Sequence, residues 1–265
     1  MLEILIVPFI NVLLFIYEFI GENFGLAIII FTIVLRLATY PFTKKQLESS
    51  QKMQEMQQSK EWQKIQKKYK KDKEKLAQEQ MSLYKEMGVS PFSSCLPSLI
   101  QMIIIIPVFF SVSRTLVFTP LQMLQLRSDL FSSYSSAFSK LIPLNSQWWW
   151  IKDLGQPERW DGLSHIIPES FPILGAGIPI LTILVVITSF LQSKMITPTS
   201  SGPDDQSAAM SRSMTYMMPI MFAFIAYSYS AGLALYFVVS NLVTIIQYIL
   251  TGRVDLRNLF SSGKK

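Results

Sequence analysis

Five long apolar blocks constrain this chain more than any other feature of its sequence. Each is about 17 residues long or more, which is enough for a helix to cross all or most of a hydrocarbon core about 30 Å thick. The chain is 50% hydrophobic and only 16% charged, a composition that does not match a soluble domain. The sequence predicts an all-α, polytopic membrane protein with a five-span core bundle at residues 24–43, 91–118, 171–196, 213–229 and 231–251.

Lysine and arginine residues predict how the spans are oriented, because cytoplasmic loops carry an excess of both. Segment 44–90 contains twelve basic residues against seven acidic ones, whereas segment 119–170 contains four against five. We therefore predict that 44–90 is cytoplasmic and 119–170 extracytoplasmic. The loop 197–212 and the basic tail 252–265 then also fall inside, so the N-terminus is outside and the C-terminus is cytoplasmic.

The first 23 residues are apolar, but they are not predicted to form a span. They lack the positively charged start and the small-residue cleavage site of a signal peptide. At about 3.6 residues per turn, their polar residues Glu3, Asn11, Glu18 and Glu22 fall within a sector of roughly 100°. Segment 1–23 is therefore predicted to be an amphipathic helix lying in the plane of the outer face of the membrane.

The cytoplasmic segment 44–90 is rich in Lys, Gln and Glu and has no Gly or Pro before Gly88, which favours helix. The cluster KKYKKDK interrupts it near the middle, so we predict a helical hairpin roughly 30 Å long. A solvated charged linker is the alternative. A basic rod suits acidic partners such as ribosomal RNA, a targeting factor or anionic lipid headgroups. Its candidate partner-binding residues are Lys64, Lys67, Lys68, Lys70 and Lys71.

The extracytoplasmic loop 119–170 differs in kind from the hairpin. It contains several prolines and no strong periodicity, so no regular element is predicted for it. Three consecutive tryptophans at 148–150 are most simply an interfacial anchor.

Polar side chains follow one face of four of the five predicted spans. Thr32, Arg36 and Thr39, for example, fall at i, i+4 and i+7 of the first span. With the predicted topology these side chains lie in the cytoplasmic half of the bundle, and the outer halves are almost purely apolar. We predict a hydrophilic groove that is open to the cytoplasm and closed outward, lined by Arg36, Thr32, Thr39, Ser98, Gln101, Ser189, Gln192, Asn241 and Thr244. Ser240 and Gln247 belong to the same stripe of the fifth span.

Arg36 is the most costly residue of these stripes. An arginine at membrane depth costs roughly 2.5 to 3.5 kcal/mol on insertion scales, and no acidic residue lies inside any predicted span to pair with it. Water and hydroxyl groups of the groove would solvate it. The alternative is that it snorkels to the inner headgroups, since Lys44 is only about 12 Å further along the helix. Each Ser or Thr could equally be bonded to its own helix.

Motifs for bond-breaking chemistry are missing from the chain. Cys95 is the only cysteine and His165 the only histidine, which leaves little for a metal centre or a histidine-based catalytic unit. Phosphate-binding glycine loops and the H-E-x-x-H zinc motif are also absent from the sequence. We therefore expect no catalytic residues, no metal and no cofactor, and a protein that is not an enzyme.

Several separated motifs, in this order, resemble the YidC/Oxa/Alb family of membrane protein insertases. They are VLRLATYPFTKKQ, the charged hairpin, LYKEMGVSPFSSCLPSLIQMIIIIPVFFSV, FLQSKM and MTYMMPIMFAFIAYSYSAGLALYFVVSNLVTIIQ. The resemblance implies a five-span core and a groove arginine that corresponds to Arg36. It also implies that Gln101, Gln192 and Phe237 are groove positions, with phenylalanine at 237 where relatives often carry Tyr or Trp. We expect a short bacterial form in the plasma membrane, anchored by the in-plane helix.

The same resemblance implies an activity and a set of partners. Such a protein would accept hydrophobic segments of nascent membrane proteins from the ribosome and release them laterally into lipid, without nucleotide hydrolysis. The ribosome would contact the hairpin and the C-terminal tail. The Sec translocon, the signal recognition particle pathway and anionic lipids are further candidate partners.

Two other functional classes stay open on the sequence. A transporter or channel subunit needs a polar path across the whole membrane, and the apolar outer halves of the spans argue against one. An intramembrane hydrolase would need an acidic or histidine partner inside the spans, where the sequence has none.

Overall fold

The computed structural model describes residues 3–69, 72–88, 96–116, 119–130, 144–159, 179–196 and 206–251. Every regular element within these ranges is a helix, in agreement with the predicted all-α class. The helices are α1 (Glu3–Phe19), α2 (Phe24–Ala38), α3 (Tyr40–Gln58), α4 (Lys60–Lys68), α5 (Lys73–Glu86), α6 (Leu96–Thr115), α7 (Pro120–Asp129), α8 (Ile180–Ile196), α9 (Gln206–Ser228) and α10 (Ala231–Leu250).

Several sequence predictions fall on other parts of the chain. Residues outside the described ranges include Lys70 and Lys71, Cys95, His165, most of the loop 197–212 and the tail 252–265. Predictions for them stay predictions.

The lengths of the described helices test only some of the five predicted spans. Within the described ranges, Ala231–Leu250 is long and apolar enough to cross a bilayer, and the bent pair Phe24–Ala38 and Tyr40–Gln57 would be a second if it is one span. Shorter apolar helices cover Gln101–Thr115, Ile180–Met195 and Tyr216–Ser228. The count of five spans stays a prediction.

A bend separates α2 from α3. The two helices meet at 58°, and Thr39 lies between them as the C-cap of one and the N-cap of the other. Pro41 occupies the first turn of α3, where its missing N–H costs least but where its ring would clash with the preceding turn of a continuous helix. Part of the predicted first span, 24–43, therefore belongs to the hairpin arm.

Helix α10 packs against more of the described helices than any other element. Its neighbours are α2, α8, α9 and α6. Most of its side chains are buried, as expected for a helix that is apolar on nearly all sides. Two bulky members of its sequence, Tyr236 and Phe237, are among the largest fully buried side chains of the protein. The central position of α10 brings its polar residues into contact with neighbouring helices.

One segment contacts the N-terminal ends of three helices. Residues 144–159, which we call the cap segment, accept hydrogen bonds from backbone N–H groups at the starts of α2, α8 and α10. These three helices therefore run in the same direction from a common end. The charge pattern predicts that this end faces outside.

The main core extends from the cap segment into the bundle. It is one cluster of buried apolar side chains contributed by α1, α2, α6, the cap segment and α8 to α10. Its fully buried members include Phe24, Ile28, Val108, Leu154 and Val185. The apolar halves of the predicted spans thus pack on one another at the end that carries the cap segment.

Helix α1 packs against α6 and α2. Arg114 of α6 contacts the start of α1 through an ion pair to Glu3 at 2.8 Å. It forms a second ion pair to Asp129 of α7 at 3.1 Å. The Arg114 guanidinium lowers the pKa of Glu3 below its ordinary value, chiefly through the hydrogen bond between them. Asn11 is buried, and its side-chain amide donates to the Asp129 carbonyl oxygen at 2.9 Å. Polar contacts therefore fix α1 to α6 and α7.

The opposite face of α1 is apolar and exposed. Ile4, Phe15 and Phe19 are more than half exposed. This is a surface that a helix in the membrane interface would present to lipid, and the in-plane position stays a prediction.

The described part of segment 44–90, which is predicted to be cytoplasmic, forms a hairpin in which α3 and α4 pack against α5. Ser59 interrupts the first arm and caps α4, where its hydroxyl accepts from the backbone N–H of Trp62. Met53, Met56, Trp62 and Leu83 form a buried apolar cluster between the arms. A few apolar side chains are therefore sufficient to pair the two strongly polar arms of the hairpin.

Candidate functional site

Arg36 is buried near the C-terminal end of α2 and holds partners from two other helices. Its side chain is only 5% exposed. Its Nε donates to Ser240 Oγ of α10 at 2.8 Å, and its Nη2 donates to Gln101 Oε1 of α6 at 3.2 Å. The same Nη2 also contacts Ser240 Oγ. Because the guanidinium is planar with fixed donors, these bonds orient it between three helices.

All of the acceptors that the described residues present to this guanidinium are neutral oxygens. None of them is a carboxylate. Within the described ranges, the positive charge of Arg36 is therefore hydrogen-bonded but not neutralised. An unpaired buried charge is expensive, and an anionic group that approached it would be attracted more strongly than at an exposed site.

A second set of bonds ties α10 to its neighbours around Arg36. Gln247 Nε2 donates to the Arg36 carbonyl oxygen at 3.1 Å. Asn241 Nδ2 donates to Thr188 Oγ1 at 3.1 Å and to Ser189 Oγ at 2.8 Å, both in α8. We call Arg36, Gln101, Ser189, Asn241 and their partners Thr188, Ser240 and Gln247 the polar cluster. It connects α2, α6, α8 and α10 through side chains.

The predicted threonines contribute differently from the amides. Thr32 Oγ1 donates to the Ile28 carbonyl oxygen at 2.6 Å, and Thr39 Oγ1 donates to that of Leu35 at 2.8 Å. Thr244 makes the same type of bond within α10, to the Ser240 carbonyl oxygen. For these three residues the alternative of bonding to their own helix is therefore the observed one. Their hydroxyls remain able to accept a further hydrogen bond.

The predicted groove residues differ in how far they are buried. Gln101 and Gln192 are half-buried, as is Thr39, whereas the other groove residues with described side chains are buried. Phe237 is buried, and its ring packs against those of Phe222 and Tyr236 with centroid distances of 5.1 and 5.8 Å. Ser98 lies in α6, before the first residue of that helix whose side chain is described.

The polar cluster lies away from the cap segment. Apart from Gln101, which lies near the start of α6, its residues come from the middle and C-terminal parts of α2, α8 and α10, whose N-terminal ends contact the cap segment. Leu47 of α3 packs with Met195 of α8 and with Ile245 and Tyr248 of α10 in a small apolar cluster beyond it. The bundle is therefore polarised, with an apolar capped end and a polar end that adjoins the hairpin.

Sequence reasoning did not place several residues of this cluster at the site. Ser240 and Gln247 were recognised as part of a polar stripe, but their bonds to Arg36 span 204 and 211 residues of sequence. Thr188 was not singled out, although it lies one residue before Ser189. Tyr236 is fully buried, and its hydroxyl lies close to Ser240 and to the charge of Arg36. Its position one residue before Phe237 was the only available signal.

No metal-binding arrangement occurs in the described ranges. Within them, no group of three or more His, Cys, Asp or Glu side chains could hold an ion.

The chain matches known proteins over nearly its whole length. The family model described as 60Kd inner membrane protein matches residues 15–257. A protein of Syntrophobacter fumaroxidans named membrane protein insertase YidC is 36% identical over 91% of this chain and 36% of its own length. Proteins with the same name from Rickettsia bellii and Leptospira interrogans are each 32% identical, over 91% and 90% of this chain.

These relatives are longer than the present chain. It covers 37% of the Rickettsia protein and 32% of the Leptospira protein, so it spans about a third of the length of the curated relatives it matches. The matched part includes α2 to α10 and every residue of the polar cluster. The chain therefore belongs to the 60Kd inner membrane protein family, the family of the YidC insertases that its motifs resemble.

Proposed function

We propose that this protein is a membrane protein insertase of the bacterial inner membrane. It receives hydrophobic segments of nascent membrane proteins in a hydrophilic groove and releases them laterally into the bilayer. The observation that carries the proposal is Arg36, a buried cation with neutral partners from two neighbouring helices. The shared name of the relatives supports the same activity.

The proposed mechanism lowers a desolvation barrier and breaks no bond. A polar tail that crosses a bilayer must lose its water, at a cost of several kcal/mol for each unsatisfied group. The polar cluster would replace that water with Asn241, Gln101 and neighbouring hydroxyls, and Arg36 would attract an acidic tail. The attached apolar segment would then move into lipid, where its transfer is favourable.

Access to Arg36 requires the helices around it to separate. Its side chain is 5% exposed, whereas Gln101 and Gln192 are half-buried. We propose that these two glutamines line the groove entrance on the cytoplasmic side. Water or a substrate entering there would replace the Gln101 amide oxygen as a hydrogen-bond partner of the guanidinium.

Cysteine labelling tests the groove. In a Cys95→Ser chain, Gln101→Cys and Gln192→Cys should react with a water-soluble maleimide and crosslink to a ribosome-stalled nascent membrane protein. Ile30→Cys and Ile106→Cys, at apolar positions nearer the capped end, should do neither, because only the polar half would hold water.

The outcome separates the insertase from its main alternative. Labelling that also reached Ile30→Cys and Ile106→Cys would indicate a continuous aqueous path and a transporter or channel subunit. Reaction at the two glutamine positions without any crosslink would contradict a substrate groove. The second candidate receives no support from the described core, whose capped end is apolar.

We further propose that the hairpin binds the ribosome, together with the basic tail. Lys64, Lys67 and Lys68 are exposed on α4, where they can contact phosphates and release counterions. The Sec translocon, the signal recognition particle pathway and anionic lipids are the other proposed partners. Contacts of these kinds would bring a nascent chain to the polar end of the bundle.

Neutralising two of these lysines tests the hairpin. Lys67→Gln with Lys68→Gln should weaken ribosome co-sedimentation by roughly three- to tenfold and reduce its salt dependence, because two phosphate contacts are lost. The control, Lys52→Gln with Lys85→Gln, removes the same charge from other exposed positions of the hairpin. Equal binding by both double variants would exclude a specific role for the α4 lysines.

A further inference from the structure

The cap segment 144–159 supplies partners for the starts of three helices. The first N–H groups of any α-helix have no partner within it. Here the Phe24 N–H donates to the Asn145 carbonyl oxygen at 3.3 Å, at the start of α2. At the start of α10, the N–H groups of Ala231 and Gly232 donate to the carbonyl oxygens of Gln156 and Leu154, each at 2.8 Å. One short segment therefore joins helices that are distant in sequence.

The third helix start is held by a side chain. Glu158 is buried, and its carboxylate accepts from the backbone N–H of Leu181 in the first turn of α8. Its other oxygen accepts from Trp150 Nε1 at 2.6 Å. An anion at a helix N-terminus is favoured by the helix dipole, whereas burial raises the pKa of this carboxyl group. Trp150 thus holds the Glu158 carboxylate in place at the N-terminal end of α8.

The cap segment also packs tightly against α2 and α10. Ile151 and Leu154 are buried in the main core. Gly25 lies directly against the ring of Trp148, since a Cβ atom there would overlap ring carbons and come within 2.8 Å of Nε1. A Cβ on Gly232 would lie 3.3 Å from the Leu154 carbonyl oxygen. Glycine at these positions permits the close approach of the cap segment to α2 and α10.

We infer that the cap segment is the outer seal of the bundle and a required part of its permeability barrier. The inference rests on the proposed groove, which would admit water to the polar half from the cytoplasm. The barrier is then only the apolar core between the polar cluster and the cap segment. Without the cap, the open N–H groups of α2, α8 and α10 would attract water to the outer end of that thin layer.

Ion leakage in the absence of substrate measures the seal by itself. The full chain is reconstituted into vesicles containing a trapped pH dye, and proton leak is recorded under a potassium diffusion potential. Gly25→Ala should raise the leak by about tenfold, because the added methyl group displaces Trp148 and overpacked sites shift their neighbours. The matched control is Leu26→Ala, which alters an exposed side chain of the same helix.

Coupling between the two residues tests the contact specifically. Trp148→Ala should itself increase the leak, and adding Gly25→Ala to it should cause no further increase, because the methyl group then has space. A second test variant is Glu158→Gln, which adds no side-chain volume and removes the carboxylate charge at the start of α8. Each variant is first checked for unchanged helix content.

The leak and the insertase activity are read separately. An increased leak for Gly25→Ala and Glu158→Gln supports the seal whether or not the vesicles insert a substrate protein. Leak rates equal to the parent for both variants would overturn the inference even if insertion were normal. Full additivity of Gly25→Ala and Trp148→Ala would also contradict it, since independent effects exclude the packing contact as their cause.

Discussion

Arg36→Ala is expected to reduce the insertion of single-span substrates with acidic outer tails by roughly ten- to a hundredfold. A hydrogen bond to a charged partner contributes about 1.5–3 kcal/mol, and about 1.4 kcal/mol corresponds to a factor of ten. The guanidinium is 5% exposed and bonded only to neutral oxygens in the described residues. An acidic tail would therefore be the first anion to neutralise it. Insertion into reconstituted vesicles, scored by protease protection, measures the effect.

Two further variants separate charge from geometry. Arg36→Lys keeps the positive charge and should retain insertion, although it loses the two-armed contact with Ser240 and Gln101. Ser240→Ala keeps the arginine but removes the acceptor of its Nε, so we expect a smaller loss than for Arg36→Ala. Substrates with neutral tails should be less affected by all three. Equal insertion of acidic tails by the parent, Arg36→Ala and Arg36→Lys would exclude attraction by this charge.

Phe237→Ala is expected to lower the free energy of unfolding by about 3–5 kcal/mol. The side chain is 2% exposed and packs within the main core against Phe222 and Tyr236. Its removal would leave a cavity at the centre of the bundle, and the neighbouring helices could close it only partly. Unfolding in mixed detergent micelles, followed by loss of helical circular dichroism, measures the change.

An exposed phenylalanine on the neighbouring helix provides the control. Phe224 of α9 is 69% exposed, so Phe224→Ala should change the unfolding free energy by less than about 0.5 kcal/mol. Phe237→Leu should cost markedly less than Phe237→Ala because it retains most of the volume. If Phe237→Ala and Phe224→Ala had the same small effect, residue 237 would face open space, as a wide groove would require.

Local features of the site were accessible from the sequence. The polar faces of the spans follow from helical spacing, and bonds such as that of Thr32 to the carbonyl four residues earlier need no other helix. The apolar length of α10 likewise belongs to one segment. Pro41 carried a recognisable signal for the bend after α2, yet the apolar run from 24 to 43 predicted one span.

Other features depend on which helices become neighbours. The cap segment has no periodicity, and neither Glu158 below α8 nor Trp148 against Gly25 was predictable from spacing. Several different spatial arrangements of the same helices in the bundle would bury the same apolar faces. Without covariation between positions, a single sequence does not distinguish them.

By itself, the sequence determined the helical class, the apolar character of the spans and the polar face that carries Arg36, because each depends on residues within one helix or one continuous run. The tertiary structure decided that Ser240 and Gln101 hold the guanidinium and that residues 144–159 cap three helices. Those contacts join residues 204, 65 and 23 positions apart. Only the packing of whole helices, which buries the most apolar surface while satisfying the polar groups it encloses, brings such residues together.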